Sequence, residues 1–130
     1  ALGYIPNDRL PEYYAIADMQ VIPSTCQEGA GLVSVEGMAA GLPLIITQSG
    51  GMVEYVNSDA AIQVPIDKEL PHNLAVNMKL LADDKHRRKK MAHAGRKRAE
   101  LFSRERYYKS FVDIFEKSMS VREANKNACD

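Results

Sequence analysis

Short apolar runs recur along the first half of the chain, and each is bounded by residues that favour turns. The runs at residues 19–22, 43–47 and 61–64 show no alternation of polar and apolar positions, which is the pattern of strands buried on both faces. Patterns typical of helices cover residues 10–17, 31–40 and 52–56. Strands and helices that alternate in this order predict an α/β fold, a parallel sheet with helices on both faces.

Turn-forming and capping residues mark the ends of the first two helices. Asn7 or Asp8 can cap the first helix, and Pro11 then lies in its first turn, where its missing N–H costs little. Gly41 is placed to end the second helix, because glycine readily adopts the left-handed conformation that closes helices.

From residue 68 to about 119 the pattern is helical throughout. An amphipathic stripe with spacings of three and four opens this region and consists of Leu70, Leu74, Met78, Leu81 and Ala82. Asp83 and Asp84 open a second helix, which is predicted to turn Leu101 inward. Ser103 precedes a third helix, so the C-terminal region is predicted to be helical.

Three strands make a thin sheet for a domain of this class, and the first residues resemble the end of a strand that runs into a loop. We therefore expect upstream sequence to complete the domain. The predicted organisation is an N-terminally truncated domain at residues 1–119, followed by a polar tail at residues 120–130.

Composition excludes some classes of partner and location. The 17 Lys and Arg residues balance 17 Asp and Glu residues, so nothing indicates general attraction to nucleic acid. Two cysteines form no disulfide framework, which favours a reducing, cytoplasmic compartment. No apolar run approaches the roughly 18 residues of a membrane span, and no signal peptide opens the chain.

The loop at residues 24–30 is the first candidate for a binding site. It follows a predicted strand and precedes a predicted helix, which is where ligands bind in open α/β sheets. Gly29 and Gly31 leave room for a ligand to approach the backbone. The first N–H groups of the helix have no partners within it, and the helix dipole adds positive charge, so an anion such as phosphate is favoured.

Two glutamates, Glu28 and Glu36, flank this predicted anion site. Phosphate would repel a carboxylate, whereas sugar hydroxyls donate strong, orienting hydrogen bonds to one. A sugar nucleotide has a matching layout, with a diphosphate between a sugar and a ribose. The pattern therefore favours a sugar-nucleotide site.

The stretch EGAGLVSVE at residues 28–36, followed by GMAAGLP, resembles the Glu-x7-Glu region of retaining glycosyltransferases of the glycosyltransferase family 4 group. These enzymes have the GT-B architecture of two Rossmann-like domains. Further landmarks match in the same order, namely Ala17-Asp18, Pro23-Ser24, Gly50-Gly51 and Glu54. The resemblance covers residues 3–115 and implies that the chain is an incomplete, donor-binding half of a GT-B enzyme.

The resemblance implies a role for each matching residue. Glu28 would be the catalytic residue that binds the hydroxyls of the transferred sugar, and Glu36 would hold the ribose. Backbone groups would meet the rest of the donor: Gly29, Ala30 and Gly31 along the sugar and phosphate, Leu32 and Val33 at the diphosphate, and Gly3, Tyr4 and Ile5 at the base. Members of the family usually carry an aromatic residue where this chain has Ala30, which bears on the fit of the sugar or acceptor.

The implied reaction is front-face transfer, with retention, from a nucleoside diphosphate sugar to an acceptor that is a sugar, a lipid or another small molecule. It implies no metal and no cofactor. The family's diphosphate-clamping Arg and Lys, and its acceptor-binding N-terminal domain, would lie upstream, so the chain alone is expected to be inactive. The base, the sugar and the acceptor stay open.

Two alternatives remain at this stage. The chain could be a non-catalytic module that binds sugar nucleotides or other proteins, or the domain of a sugar-nucleotide epimerase. The spacing of Glu28 and Glu36 favours the transferase over the epimerase, and only the upstream sequence separates the transferase from the module.

A basic run extends from Lys85 to Lys90 and continues at residues 96–98, with eight of the 17 basic residues. A solvated helix face is the first interpretation. The second is peripheral contact with anionic lipid at the inner face of a membrane, or contact with the absent domain. Tyr107, Tyr108 and Phe111 would be partly exposed if the last helix packs on that domain, and the chain could then self-associate.

The other polar residues carry weaker predictions. The three histidines fall on polar helix faces and are expected to be solvated, and Cys26 has no neighbouring base that would make it a nucleophile. Thr47 and Ser49 lie close to the predicted site, with no role assigned.

Overall fold

A computed structural model describes residues 2–27, 29 and 31–127, with side chains up to residue 120. The chain divides into two units, Ala1–Glu100 and Leu101–Asp130. Single 3₁₀ turns cover Asn7–Arg9 and Glu100–Phe102. The helices and strands are α1 Leu10–Ile16, β1 Gln20–Ile22, α2 Leu32–Ala40, β2 Leu44–Thr47, α3 Met52–Tyr55, β3 Ala61–Val64, α4 Leu70–Asp83, α5 Lys85–Ala99 and α6 Arg104–Asn127.

The first unit contains a three-stranded parallel sheet in the order β1-β2-β3. Val21 of β1 pairs with Ile45 of β2, which pairs with Ile62 of β3. Every residue of the central strand β2 is buried, as a strand covered by helices on both faces requires. The predicted α/β fold and all three predicted strands are confirmed, with ends shifted by one residue at most.

Apolar side chains form one core layer on each face of the sheet. One layer contains Ile46 of β2, Met38 of α2 and Met52 of α3. The other contains Ile45 of β2 and Leu81 of α4. Successive residues of β2 point to opposite faces, so this one strand supplies both layers.

Glycines in the left-handed conformation bound both ends of α2. Gly31 precedes the helix with φ 56°, and Gly41 follows it with φ 80°. The N–H groups of Gly41 and Leu42 donate to the carbonyl groups of Met38 and Gly37, each at 2.9 Å, which closes the helix as predicted. The prediction for α1 was wrong in one respect: no side chain caps it, and the 3₁₀ turn at Asn7–Arg9 leads into it instead.

Helices α4 and α5 are joined at Asp84, whose side chain accepts a hydrogen bond from the backbone N–H of Arg87 at 2.8 Å. This confirms the predicted helix start. The prediction that the apolar side chains of these helices point inward is confirmed only in part. Leu70 and Leu81 are buried, whereas Met78 and Leu101 are 43% and 45% exposed, so the prediction was wrong at these two positions.

The second unit is dominated by α6. Ser103 precedes this helix and accepts a hydrogen bond from the N–H of Arg106 at 3.3 Å, as expected for a cap. Its apolar side chains, including those of Tyr107, Tyr108 and Phe111, are largely exposed. The helix runs across the predicted boundary between residues 119 and 120, and the proposed division into domain and tail stays a prediction.

Candidate functional site

Two hydroxyl side chains at the end of β2 hold the loop that follows β1. Thr47 donates from Oγ1 to the carbonyl oxygen of Ser24 at 2.5 Å, and Ser49 donates from Oγ to the carbonyl oxygen of Cys26. Both residues are buried. Ser24 and Cys26 of this loop are therefore held at the carboxyl-end edge of the sheet by residues to which sequence reasoning gave no role.

Helix α2 begins at Gly31, a buried residue in the left-handed conformation. The φ of Gly31 is positive, and a Cβ atom at this residue would lie 2.9 Å from Cβ of Met52. No side chain caps the helix here, and the first amides, those of Leu32 and Val33, have no acceptor within it. The backbone thus presents N–H donors at the end of the helix where the dipole is positive.

Glu36 lies one turn further along α2, about 6 Å from Leu32 along the helix axis. Its carboxylate accepts a hydrogen bond through Oε2 from the hydroxyl of Tyr14 in α1 at 3.0 Å. Burial, together with the hydrogen bond and the negative charge of Glu36, raises the pKa of Tyr14 above its usual value of 10.0, while a hydrogen bond with Gln20 acts in the opposite direction. Tyr14 is therefore a protonated donor at neutral pH.

A cavity of about 470 Å³ opens between α1 and α2 beside this pair. Leu10, Pro11 and Ala40 give it apolar walls, and Tyr14 and Glu36 supply polar groups. A largely apolar pocket with a few convergent polar groups is the usual form of a small-molecule site. The size and the lining suit a nucleoside.

Gln20 of β1 lies behind this pair. Its amide Nε2 donates to the carbonyl oxygen of Val33 at 3.3 Å. Its Oε1 atom is buried and has no hydrogen-bond partner among the residues with described side chains. The side chain occupies the space that a Cβ atom on Gly37 would need, so the glycine in α2 allows β1 to approach this closely.

The residues predicted to meet the base, Gly3, Tyr4 and Ile5, are not among those that line the cavity. Gly3 has φ 70°, Tyr4 is 90% exposed and Ile5 is half-buried. The 3₁₀ turn that follows them contributes Asn7 to the cavity lining. Residues 3–5 precede Asn7 closely in the sequence, and their contact with a base stays a prediction.

Two predicted site residues, Glu28 and Ala30, lie outside the described residues. Gly29 between them has open space around its Cα, since a Cβ atom there would meet nothing within 4 Å. The roles of Glu28, Ala30 and the other predicted ligand contacts stay predictions. No sequence pattern indicated Tyr14 or Gln20. Tyr14 is 22 residues from Glu36, and no local pattern predicts a contact over that distance.

Three arginines of the basic run are used within the fold. Arg88 donates to the carbonyl oxygens of Leu81 and Ala82 at 2.5 and 2.8 Å. Arg96 donates to the carbonyl oxygen of Ala40 at 3.3 Å. Arg98 donates to the carbonyl oxygens of Tyr55 and Glu54 at 2.9 and 2.8 Å. These bonds satisfy the C-terminal carbonyl groups of α4, α2 and α3, respectively.

Other candidate chemistries find little support in the described part of the chain. No group of three or more His, Cys, Asp or Glu side chains there is placed to hold a metal ion. Cys26 is a free, exposed thiol. No described helix has the length and hydropathy needed to cross a membrane.

The fold belongs to a known class. Residues 1–100 form an α/β unit of GT-B type, and the structure superimposes on a sucrose-phosphate synthase from Thermosynechococcus elongatus with a TM-score of 0.83 at 27% identity, covering 92% of this chain and 30% of the other. It also matches the C-terminal domain of a glycosyl transferase group 1 family protein from Francisella tularensis with a TM-score of 0.66 at 27% identity, covering 77% and 51%.

The sequence comparison names the family. The profile of the family described as glycosyl transferases group 1 matches residues 1–98, and the chain belongs to this family. A D-inositol 3-phosphate glycosyltransferase from Salinispora tropica is 31% identical over 109 residues, which make up 84% of this chain and 22% of that protein. The chain spans between 15% and 30% of the length of the first curated relatives that it matches.

Proposed function

We propose that the chain is the donor-binding part of a retaining glycosyltransferase of the family 4 type, which transfers a sugar from a nucleoside diphosphate sugar to an acceptor. One observation carries this proposal: the open N-terminus of α2 and the carboxylate of Glu36 lie on one helix, about 6 Å apart along its axis, beside a cavity of about 470 Å³. That separation matches the step from a diphosphate to the ribose attached to it.

Each part of the donor meets a suitable group in this arrangement. The amides of Leu32 and Val33 receive the diphosphate, and Glu36 accepts hydrogen bonds from the ribose hydroxyls. The base lies toward residues 3–5. The transferred sugar lies at the loop of residues 28–31, where Glu28 accepts hydrogen bonds from its hydroxyls.

The proposed reaction breaks the bond between the sugar C1 and the phosphate oxygen, and the nucleoside diphosphate leaves with the electron pair. The acceptor hydroxyl bonds to C1 on the same face, and its proton passes to the departing phosphate oxygen. The amides at the start of α2 stabilise the negative charge that develops on the leaving group. We expect no requirement for a metal or another cofactor.

The acceptor site is proposed to lie elsewhere in the whole protein, since the chain spans less than a third of the length of its first curated relatives. The chain alone is therefore expected to bind the donor without transferring the sugar. An acceptor sugar, lipid or other small molecule fits this scheme, and cytoplasmic nucleotide sugars would supply the donor.

The full-length protein tests the proposal by NMR of the first product formed from UDP-, GDP- and ADP-linked glucose, mannose or N-acetylglucosamine. We expect transfer or slow hydrolysis with one donor, with the anomeric configuration retained and the rate unchanged by EDTA. The Glu36→Ala variant should lose most of this activity. An inverted product would contradict the retaining mechanism, and binding without any turnover would favour the non-catalytic module.

A further inference from the structure

We propose that Tyr14 is a positioning residue for Glu36, and that the hydrogen bond between them sets how well the site recognises the ribose hydroxyls. This inference rests on the proposed function, because it assumes that Glu36 binds ribose. It adds a residue of α1 that lies outside the loop and helix identified from the sequence.

The contact has the geometry of a specific hydrogen bond. Tyr14 Oη lies 3.0 Å from Glu36 Oε2, and the raised pKa of Tyr14 keeps the hydroxyl protonated as a donor at neutral pH. The bond occupies only one of the two carboxylate oxygens. A carboxylate accepts about four hydrogen bonds in total, so the capacity to accept a pair of ribose hydroxyls remains.

The surroundings of Tyr14 and Glu36 indicate that their hydrogen bond does more than hold α1 against α2. They favour a role in ligand binding. Both side chains line the same cavity of about 470 Å³, so the bond lies where a ligand would be. Glu36 is exposed and has three rotatable bonds, which a ligand would have to fix on binding. Tyr14 is half-buried and has two rotatable bonds before its hydroxyl, so it is the more restricted partner of the pair.

The expected consequence is that Tyr14 fixes the carboxylate before the nucleotide arrives. Immobilising a flexible side chain at an interface weakens binding by up to about tenfold. Loss of the Tyr14 hydroxyl should therefore reduce affinity about three- to tenfold, and only for ligands whose ribose hydroxyls reach Glu36. A purely structural contact would instead affect all nucleotides alike, through folding.

The experiment compares the affinity of the chain for UDP, GDP or ADP with its affinity for the 2′,3′-dideoxy form of the same nucleotide. The ratio of these affinities measures recognition of the ribose hydroxyls. It is determined for the wild type, Glu36→Ala, Tyr14→Phe and the matched control Tyr13→Phe, which removes the same hydroxyl from the neighbouring position of α1.

We expect Glu36→Ala to bring the ratio close to one, Tyr14→Phe to lower it about three- to tenfold, and Tyr13→Phe to leave it unchanged. A lower ratio in Glu36→Ala, with an unchanged ratio in Tyr14→Phe, overturns the positioning role alone. An unchanged ratio in Glu36→Ala, or no binding of any nucleotide to the folded chain, overturns the ribose role of Glu36 and the positioning role with it.

Discussion

Helices α2 and α5 differ in the number of their charged side chains and in the capping of their N-termini. Among its nine residues α2 has one charged side chain, Glu36, and its N-terminus has no side-chain cap. In contrast, α5 has eight Lys and Arg residues among 15 and begins at the capping side chain of Asp84. The first amides of α2 have no partner within the helix, whereas three arginines of α5 bond to carbonyl groups at the ends of other helices.

This difference shows that a dense run of charged residues can serve the fold itself. The basic run stands out in the sequence, yet Arg88, Arg96 and Arg98 bond to carbonyl groups at the C-terminal ends of three other helices. The almost uncharged helix α2 contains the N-terminal amides and the single carboxylate on which the proposed donor site rests. The proposed site therefore rests on helix-end groups that have no partner within the helix, and net charge gives no indication of it.

The largest expected effect is at the start of α2. Replacement of Gly31 by Ala forces a side chain into the left-handed region and against Met52, and should cost on the order of 1–3 kcal/mol in the free energy of unfolding. Denaturant unfolding measures this loss, and nucleotide titration should show weaker binding as the amides shift.

Gly29→Ala is the matched control, since a Cβ atom there meets nothing within 4 Å. We expect it to change the free energy of unfolding by less than about 0.5 kcal/mol. Equal losses in the two variants would contradict the claim that Gly31 is the constrained position.

The second prediction concerns the arginines of α5. Arg98→Met removes two hydrogen bonds to the carbonyl groups of Glu54 and Tyr55, and should destabilise the fold by about 2 kcal/mol. Lys97→Met removes an exposed charge from the next position and should cost less than about 0.5 kcal/mol. If thermal or denaturant unfolding ranked the two variants equally, the structural role of Arg98 would be wrong.

The third prediction concerns the basic residues of α5 that make no structural hydrogen bond in the described part of the chain, and asks whether they contact anionic lipid. Lys89 and Lys90 are exposed, so reversal of both charges leaves the helix caps intact, whereas reversal at Arg88 would not. If α5 contacts anionic lipid, each lysine contributes about 1 kcal/mol to the binding of phosphatidylserine vesicles.

Lys109→Glu combined with Lys117→Glu in α6 is the control, since it changes the net charge equally. Weaker sedimentation with vesicles for the α5 variant alone would support the peripheral contact. Failure of the wild type to sediment with such vesicles would end the membrane hypothesis.

The smallest expected effect is the pH dependence at Tyr14. Its pKa is raised in the folded chain, so its contribution to stability is complete below pH 10 and is lost as the pH rises through the folded pKa. The difference in the free energy of unfolding between wild type and Tyr14→Phe should therefore be constant from pH 7 to 9 and shrink above pH 10. A difference that grows above pH 10 would contradict this sign.

Local patterns predict the fold well, and they fail where distant elements meet. The strands were evident because β1, β2 and β3 are apolar runs between turn residues, and the ends of α2 were evident from Gly31 and Gly41. Glu36 was found from its spacing to Glu28 and from the family resemblance. These features depend on residues close to one another in the sequence.

The contacts that sequence reasoning missed depend on packing between distant elements. Tyr14 meets Glu36 only because α1 packs beside α2, and Arg98 meets Tyr55 across 43 residues. Periodicity placed Met78 and Leu101 inward, yet both are substantially exposed, because a periodic pattern marks one face of a helix without showing how far the covering layer extends. Such contacts required the three-dimensional structure.

A calorimetric titration of the chain with UDP, GDP and ADP, beside the Glu36→Ala variant, tests the proposed donor site directly. We expect one nucleotide to bind, and the variant to bind it about ten- to a hundredfold more weakly, because a charged acceptor for the ribose hydroxyls is lost. Equal affinity of the folded wild type and variant would contradict the claim that α2 and Glu36 together form the donor site.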